Sequence, residues 1–210
     1  MTPFTREPKC STLEAIQVQP PLLGYIQSQG RGGGDKVLSN VADRLIAAGI
    51  RVYGIVQVNR ERRDGQRCDM DIRILPEGSE IRVSQSLGLG ARGCRLDSGA
   101  LEIAVASVGA SFGPDADLLI VNKFGKQEAS GAGFRTVIGE AIALGVPVLT
   151  CVNVLNQEAF DQFSAGLQVR LEACETTLVN WYLTCRQTPW PSSRAHLDTV
   201  RNGPPTNSTP

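Results

Sequence analysis

The sequence predicts an α/β domain in which a mostly parallel sheet is covered by helices on both faces. Near-continuous apolar runs recur along the chain, as is typical of strands that are buried on both faces. Amphipathic helical patterns lie between these runs, where parallel strands require crossover connections. Two alternating runs joined by a Pro/Gly turn add a β-hairpin, which we expect to be an insertion or an antiparallel edge.

The first half of the predicted domain is a strand, a helix, a strand and the hairpin. The run LLGYI indicates a buried strand, and RVYGIVQV indicates the second one. Between them lies a helix that ends at Gly49 and whose apolar residues are Val37, Leu38, Val41, Leu45 and Ala48. The runs CDMDIRIL and EIRVSQS then flank the turn PEGS and predict the hairpin.

The second half continues the alternation. Asp97 is placed to cap a helix whose apolar side carries Leu101, Ala104, Val105, Val108 and Phe112. DLLIV and VPVLTCV indicate two more buried strands, separated by a helix with Phe134, Val137, Ile138, Ala141 and Ile142 on its apolar face. The run QEAFDQFSAG predicts a short final helix. We expect one domain over residues 21–186, between a disordered extension at 1–20 and a disordered tail at 187–210.

Charge balance and hydropathy limit the classes of function that the sequence supports. Acidic and basic residues number 21 each, so no net charge draws the chain toward nucleic acid or an anionic membrane. No apolar run approaches the ~20 residues of a membrane span, and the N-terminus lacks a secretory segment, which predicts a cytoplasmic protein. The basic stretch NRERRDGQR contains acids and no aromatics, which favours a solvated loop. A homo-oligomer or a protein partner is left open.

The segment GRGGGDKVLSN, residues 30–40, has the outline of a phosphate-binding loop. Such a loop, GxxxxGK[ST], surrounds phosphate oxygens with amides, reaches the outer phosphates with its lysine and holds magnesium with its hydroxyl. Lys36 is in register, but Asp35 replaces a glycine with a negative charge, and Val37 cannot coordinate magnesium. The helix N-terminus still favours an anion, whereas a flexible turn without a ligand is the alternative. The candidate cradling glycines are Gly30, Gly32, Gly33 and Gly34.

The segment NKFGKQEASGAGFR, residues 122–135, follows the third buried strand. Ligands of such sheets bind beyond the carboxyl ends of the strands, so we expect this loop to lie beside the first one. Ser130–Gly133 could form a small anion-binding turn, and Glu128 is the carboxylate placed to act as a base or to position water or a metal. Asn122 would orient the ligand, and positive charge comes from Lys123, Lys126 and Arg135.

Six cysteines without a CxxC pair exclude a standard zinc ribbon or thioredoxin motif. Cys68 and Cys94 flank the hairpin, whose ends meet in space. They could bind a soft metal, exchange as a redox pair or be inert small hydrophobes. Cys151, inside VLTCVNV, is expected in the core. The chain has one histidine, His196, which nearly excludes histidine-based acid–base chemistry.

The blocks GCRLD and NKFGKQEASGAGFR, with GVPVLTCVN after them, closely resemble the bacterial family DUF2478 from about Leu22 to Leu171. That family has no assigned activity, and some members are found near molybdenum-transport or molybdenum-enzyme genes. The order of elements also resembles small kinase-like P-loop nucleoside triphosphatases, which implies a P-loop-like fold. In that comparison Asn122–Lys123 replaces the acidic pair that ends the strand in hydrolases, while Gly125 and Glu128 match.

These features predict a binding protein for a nucleotide (ATP or GTP) or an oxyanion such as molybdate, weak or inactive as a hydrolase. Whether magnesium takes part is left open. One alternative is an active nucleoside triphosphatase with Glu128 as base. Another is a metal or redox module built on Cys68 and Cys94, or an adaptor that binds a protein partner.

Overall fold

The computed structural model describes residues 20–27, 32–60, 69–85 and 96–187. Within these residues one sheet has the order β4–β3–β2–β5–β6–β1–β7. Its strands are β1 Leu23–Gln27, β2 Val52–Arg60, β3 Asp69–Leu75, β4 Glu80–Arg82, β5 Leu118–Phe124, β6 Val148–Val152 and β7 Gln168–Leu171. The helices are α1 Gly33–Ala47, α2 Ser98–Ser111, α3 Lys126–Ala129, α4 Arg135–Ala143, α5 Gln157–Ser164 and α6 Glu175–Gln187, with a 3₁₀ turn at Val154–Asn156.

The centre of the sheet is parallel, and the hairpin forms one edge. β1 pairs in parallel with β6 and β7, and β5 pairs in parallel with β2 and β6. β3 runs antiparallel to both β2 and β4. In β2, a Cβ on Gly54 would collide with the carbonyl of Ile120 on β5, so only glycine lets these strands approach. The predicted α/β class, with a hairpin at an antiparallel edge, is confirmed.

Helices cover both faces of the sheet and enclose two hydrophobic clusters. One cluster joins α1 and α6 to the sheet through residues such as Leu38, Leu178 and Tyr182. The other joins α2, α4 and α5 to the opposite face through residues such as Ile138 and Phe160. All five of these side chains are fully buried, so both faces of the parallel strands contribute to the core.

Most of the predicted elements are present. The Asp97 carboxylate accepts a hydrogen bond from the Ala100 amide at 3.0 Å, which is the predicted cap of α2. The sequence patterns did not predict β7 or α6, which complete the sheet and one helical layer. Of the predicted disordered extension at 1–20 and tail at 187–210, residues 1–19 and 188–210 lie outside the described residues, and Gln187 is the last residue of α6. In the part of the chain that is described, no helix is long and apolar enough to cross a membrane.

Candidate functional site

Helix α1 begins at the carboxyl end of β1. Its N-cap Gly32 has φ 85°, and no side chain caps the first turn. The amides at the start of a helix have no partners within it, so this end of α1 presents donors and a positive dipole end. Gly34 lets the helix lie close to the sheet, because a Cβ there would be 2.7 Å from Cys151 Sγ. Gly30, the first predicted glycine, lies outside the described residues.

A cavity of about 540 Å³ opens beside this helix start, and we call it the α1–β7 cavity. One wall belongs to the end of β1 and the first turn of α1, and the other belongs to the segment around the end of β7. The lining residues are Gln27, Gly33, Gly34, Val37, Arg170, Leu171, Glu172 and Ala173. Two predicted cradling glycines therefore line a cavity large enough for a small-molecule ligand. Lys36 is exposed on the same helical turn, outside this lining.

The carboxylate of Asp35 joins α1 to the end of β5. Its Oδ1 atom accepts hydrogen bonds from Asn122 Nδ2 and from Lys123 Nζ, each at 3.0 Å. Lys123 Nζ also donates to Gln57 Oε1 at 3.0 Å, and the Gln57 amide donates to Asn122 Oδ1 at 3.0 Å. We call these four residues the Asp35–Lys123 cluster. It connects α1, β2 and β5 at the edge of the sheet where the candidate loops begin.

The cluster changes the expected electrostatics of the first loop. The sequence predicts that Asp35 places a negative charge where phosphate would approach. In the structure its side chain is only 4% exposed and forms an ion pair with Lys123, whose side chain is 44% exposed. The Lys123 ammonium therefore compensates the negative charge of Asp35, and the Lys123 side chain is partly exposed.

The second loop is organised around the Glu128 carboxylate. Its Oε2 accepts from the Gly125 amide at 2.8 Å, and its Oε1 accepts from the Phe134 amide at 3.1 Å. Glu128 is 4% exposed, and burial raises the pKa of its carboxyl above the ordinary value. A carboxylate held in this way ties the two ends of the loop together, so the geometry favours a structural role. Its predicted role as a base stays a prediction.

The predicted anion-binding turn at 130–133 uses its amides internally. The Ser130, Gly131 and Ala132 amides donate to carbonyls of the preceding helical turn. The Gly133 amide donates to Glu102 Oε1 at 3.1 Å. Each amide already has an acceptor, so the geometry does not favour an anion here, and binding at this turn stays a prediction.

The two remaining predicted cations differ in their surroundings. Lys126 is exposed in α3. Arg135 donates from Nη1 to the Glu128 carbonyl at 3.2 Å, and its guanidinium lies 4.5 Å from the ring centre of Phe163. Arg135 therefore packs with the loop that Glu128 organises. The structure brings Asn122 and Lys123 to the start of α1, whereas Glu128 and Arg135 contact each other.

The predicted metal ligands Cys68 and Cys94 lie outside the described residues. Within the described ranges no group of three or more His, Cys, Asp or Glu side chains could hold a metal ion. Cys151 is 1% exposed, which confirms its predicted place in the core. Sequence reasoning missed Gln57 and the cavity wall after β7, because neither belongs to a recognisable motif.

Comparison with solved structures supports the fold. The crystal structure of THEP1 from the hyperthermophile Aquifex aeolicus superposes with a TM-score of 0.54 at 16% sequence identity. The match covers 72% of this chain and 90% of that chain. It shows that the chain shares the α/β fold of that protein, in agreement with the predicted P-loop-like class.

Comparison of sequences identifies a relative and a family. The molybdenum import ATP-binding protein ModC 2 of Bradyrhizobium diazoefficiens (strain JCM 10833 / BCRC 13528 / IAM 13628 / NBRC 14792 / USDA 110) is 36% identical over 173 residues. The match covers 81% of this chain and 19% of that protein, so the chain spans about a fifth of the length of this relative. The family described as "Protein of unknown function (DUF2478)" matches residues 23–181, and the chain belongs to this family.

Proposed function

We propose that the chain binds a nucleotide or a related small oxyanion in the α1–β7 cavity and has little or no hydrolase activity. The observation that carries this proposal is the uncapped start of α1, where Gly33 and Gly34 line a cavity of about 540 Å³. Backbone donors and the helix dipole favour a negative group at such a position. Lys36 on the same turn adds a positive charge within reach of the ligand's outer oxygens.

The chemistry of the cavity walls suggests how a nucleotide would lie. Its phosphates would contact the amides of Gly33 and Gly34, with the N-cap Gly32 beside them. Its base and ribose would lie between the apolar side chains of Val37 and Leu171, which line opposite walls. Nucleotide sites combine apolar walls with a few polar groups in this manner.

Weak hydrolysis follows from the groups beside the cavity. Val37 offers a methyl group where a magnesium-binding hydroxyl would be needed, and Asn122–Lys123 offers no acidic pair. The Glu128 carboxylate is buried and engaged with two backbone amides, which argues against its action as a base. We therefore favour binding over the active-hydrolase alternative.

The relative named as a molybdenum import ATP-binding protein supports a molybdenum-linked context. Molybdate is a tetrahedral dianion, so the start of α1 would suit it as it would suit phosphate. We accordingly propose molybdate, ATP and GTP as the first ligands to test. A cytoplasmic location and a protein partner remain proposals.

A thermal-shift panel tests the proposal with ATP, GTP, pyrophosphate, molybdate and sulfate. A ligand at ~100 times its dissociation constant adds about 2.7 kcal/mol to the free energy of unfolding, which gives a measurable shift in melting temperature. A phosphate-release assay on the same protein should detect little or no turnover. The binding proposal fails if none of these ligands shifts the melting temperature at any concentration. Rapid magnesium-dependent turnover that Glu128→Gln abolishes would instead favour the hydrolase.

A further inference from the structure

The magnesium site that a P-loop fold implies can be tested against the residues of this chain. Such folds hold Mg²⁺ through the hydroxyl that follows the lysine and through an acidic residue at the end of a core strand. Here Val37 provides no oxygen, and Asn122 and Lys123 end the strand. Lys123 Nζ lies 3.0 Å from both Asp35 Oδ1 and Gln57 Oε1, the oxygens that a cation would otherwise bind. These residues do not fit a magnesium ion.

We propose that the Lys123 ammonium is a built-in cation that takes the place of the divalent metal, so that the anion binds without magnesium. This inference rests on the proposed function, because Lys123 contacts Asp35 in the first turn of α1, next to Gly33 and Gly34, which line the α1–β7 cavity. An ammonium is a compact point charge with three donors. Two of them serve Asp35 and Gln57, and the third would donate to a ligand oxygen.

The surrounding contacts hold the ammonium in place. Asn122 accepts from the Gln57 amide and donates to Asp35, so its carboxamide is fixed between β2 and α1. Asp35 is buried, and a buried carboxylate without a cation would be strongly unfavourable. The Lys123 ammonium, which the chain supplies covalently, offsets part of the cost of burying this carboxylate.

A lysine also differs from magnesium in what it can do for a phosphate. It contributes one positive charge instead of two, and it cannot bridge two phosphate oxygens by coordination or activate a bound water. Binding with little hydrolysis is the expected result, in agreement with the function proposed above.

The first test measures metal binding by the full chain without any nucleotide. Replacing the ammonium in Lys123→Met should vacate the position between Asp35 Oδ1 and Gln57 Oε1, where a hard cation can then bind. Mn²⁺ titration followed by electron paramagnetic resonance should show about one additional bound ion in this variant compared with the wild type. The double variant Asp35→Asn/Lys123→Met lacks the carboxylate and is the matched control, in which the additional site should disappear. Circular dichroism checks that each variant is folded.

The second test measures ATP affinity by calorimetry with Mg²⁺ and with EDTA. The ATP affinity of the wild type should differ by less than about twofold between the two conditions. In EDTA, the ATP affinity of Lys123→Met should be about 10- to 100-fold lower than that of the wild type, and Mg²⁺ should restore it. A gain of about tenfold or more on adding Mg²⁺ to the wild type overturns the inference. The inference is also overturned if the wild type binds Mn²⁺ at a site that is lost in the Asp35→Asn variant.

The Mn²⁺ titration and the ATP calorimetry distinguish failure of the proposed role of Lys123 from failure of the proposed binding function. If ATP binds under neither condition, binding of ATP at this site is refuted, and the Mn²⁺ titration still decides whether Lys123 occupies the cation position. If Lys123→Met does not fold, the Mn²⁺ titration of the wild type and its ATP affinities with Mg²⁺ and with EDTA still test the inference.

Discussion

Asp35 and Lys123 compensate each other's charge across a contact of 3.0 Å. Taken alone, Asp35 at the start of α1 would repel a phosphate group. Paired with Lys123, it holds the ammonium of a partly exposed lysine beside the start of α1. At the scale of single residues, a departure from the phosphate-loop pattern at one position is therefore offset by a departure at the end of β5.

Glu128 carries a prediction about pH dependence. Burial raises its pKa above the ordinary value of 4.5, so the folded chain holds this proton more tightly than the unfolded chain does. The resulting stabilisation is complete below pH 4.5 and is lost as the pH rises through the folded pKa. The free energy of unfolding of the wild type, minus that of Glu128→Gln, should therefore decrease as the pH rises from 4.5 toward neutrality. Urea titrations at a series of pH values measure this difference.

The comparison needs a control for the loss of one negative charge. Glu140→Gln removes an exposed carboxylate from α4, close in sequence to the same loop. A difference between wild type and Glu128→Gln that stays constant or increases over this pH range would contradict the assignment of a raised pKa.

At the scale of elements, local patterns predicted the strands that are buried on both faces and the helices between them. β7 has four residues, QVRL, of which only two are apolar, so the periodicity is too short to identify a strand. Its pairing with β1 depends on Gly24, where a Cβ would lie 2.9 Å from Leu171. Helix α6 had a usable signal, since Leu178, Trp181, Tyr182 and Cys185 recur at helical spacing. The polar, proline-bearing tail that follows it obscures this signal.

The start of α1 offers a matched pair of substitutions. A Cβ on Gly33 would have no atom within 4 Å, so Gly33→Ala should maintain or slightly raise the free energy of unfolding. Because Gly33 lines the α1–β7 cavity, its methyl group would take up space beside the ligand and should weaken ligand binding by about tenfold. Gly34→Ala would press on Cys151 and should cost about 1–3 kcal/mol of stability. Chemical denaturation and calorimetry with the best ligand of the panel measure both effects.

The site assignment at α1 is contradicted if Gly33→Ala leaves the affinity unchanged. The packing argument is contradicted if Gly34→Ala is as stable as Gly33→Ala.

The start of α6 predicts a reactive thiol. Cys174 is exposed, and hydrogen bonds from the amides of Thr177 and Thr176 lower its pKa. Cys185 is buried, and burial raises the pKa of its thiol to about 12. Iodoacetamide at neutral pH should therefore modify Cys174 at least about tenfold faster than Cys185, as measured by mass spectrometry of peptides.

The same labelling in denaturant is the control, because unfolding removes both the hydrogen bonds and the burial. The two rates should then approach each other. Equal rates in the native protein would contradict the predicted environments of the two thiols.

At the scale of the whole molecule, strand order determines the candidate site. β6 lies between β1 and β5, and α1 then brings Asp35 to Asn122, 87 positions away in the sequence. The sequence predicted that the loops after β1 and β5 lie at the same edge of the sheet. It could not predict the Asp35–Lys123 contact, because local periodicity carries no information on side-chain pairing across the sheet.

We expect residues 20–187 to be sufficient for the fold. The composition of residues 1–20 and 187–210 predicts disorder, and the Trp181 indole holds the start of the domain by donating to the Pro21 carbonyl at 3.2 Å. A chain of residues 20–187 should therefore keep the free energy of unfolding of the full chain within about 0.5 kcal/mol, as well as its ligand affinity. A second truncation that also removes α6 is the control, since it deletes the buried side chains of Leu178, Val179, Trp181, Tyr182 and Cys185. Each large apolar side chain is worth roughly 1.5–3 kcal/mol against a total of about 5–15 kcal/mol, so this control should not fold stably. A loss above about 2 kcal/mol in the 20–187 chain would show that residues outside this range help to form the fold.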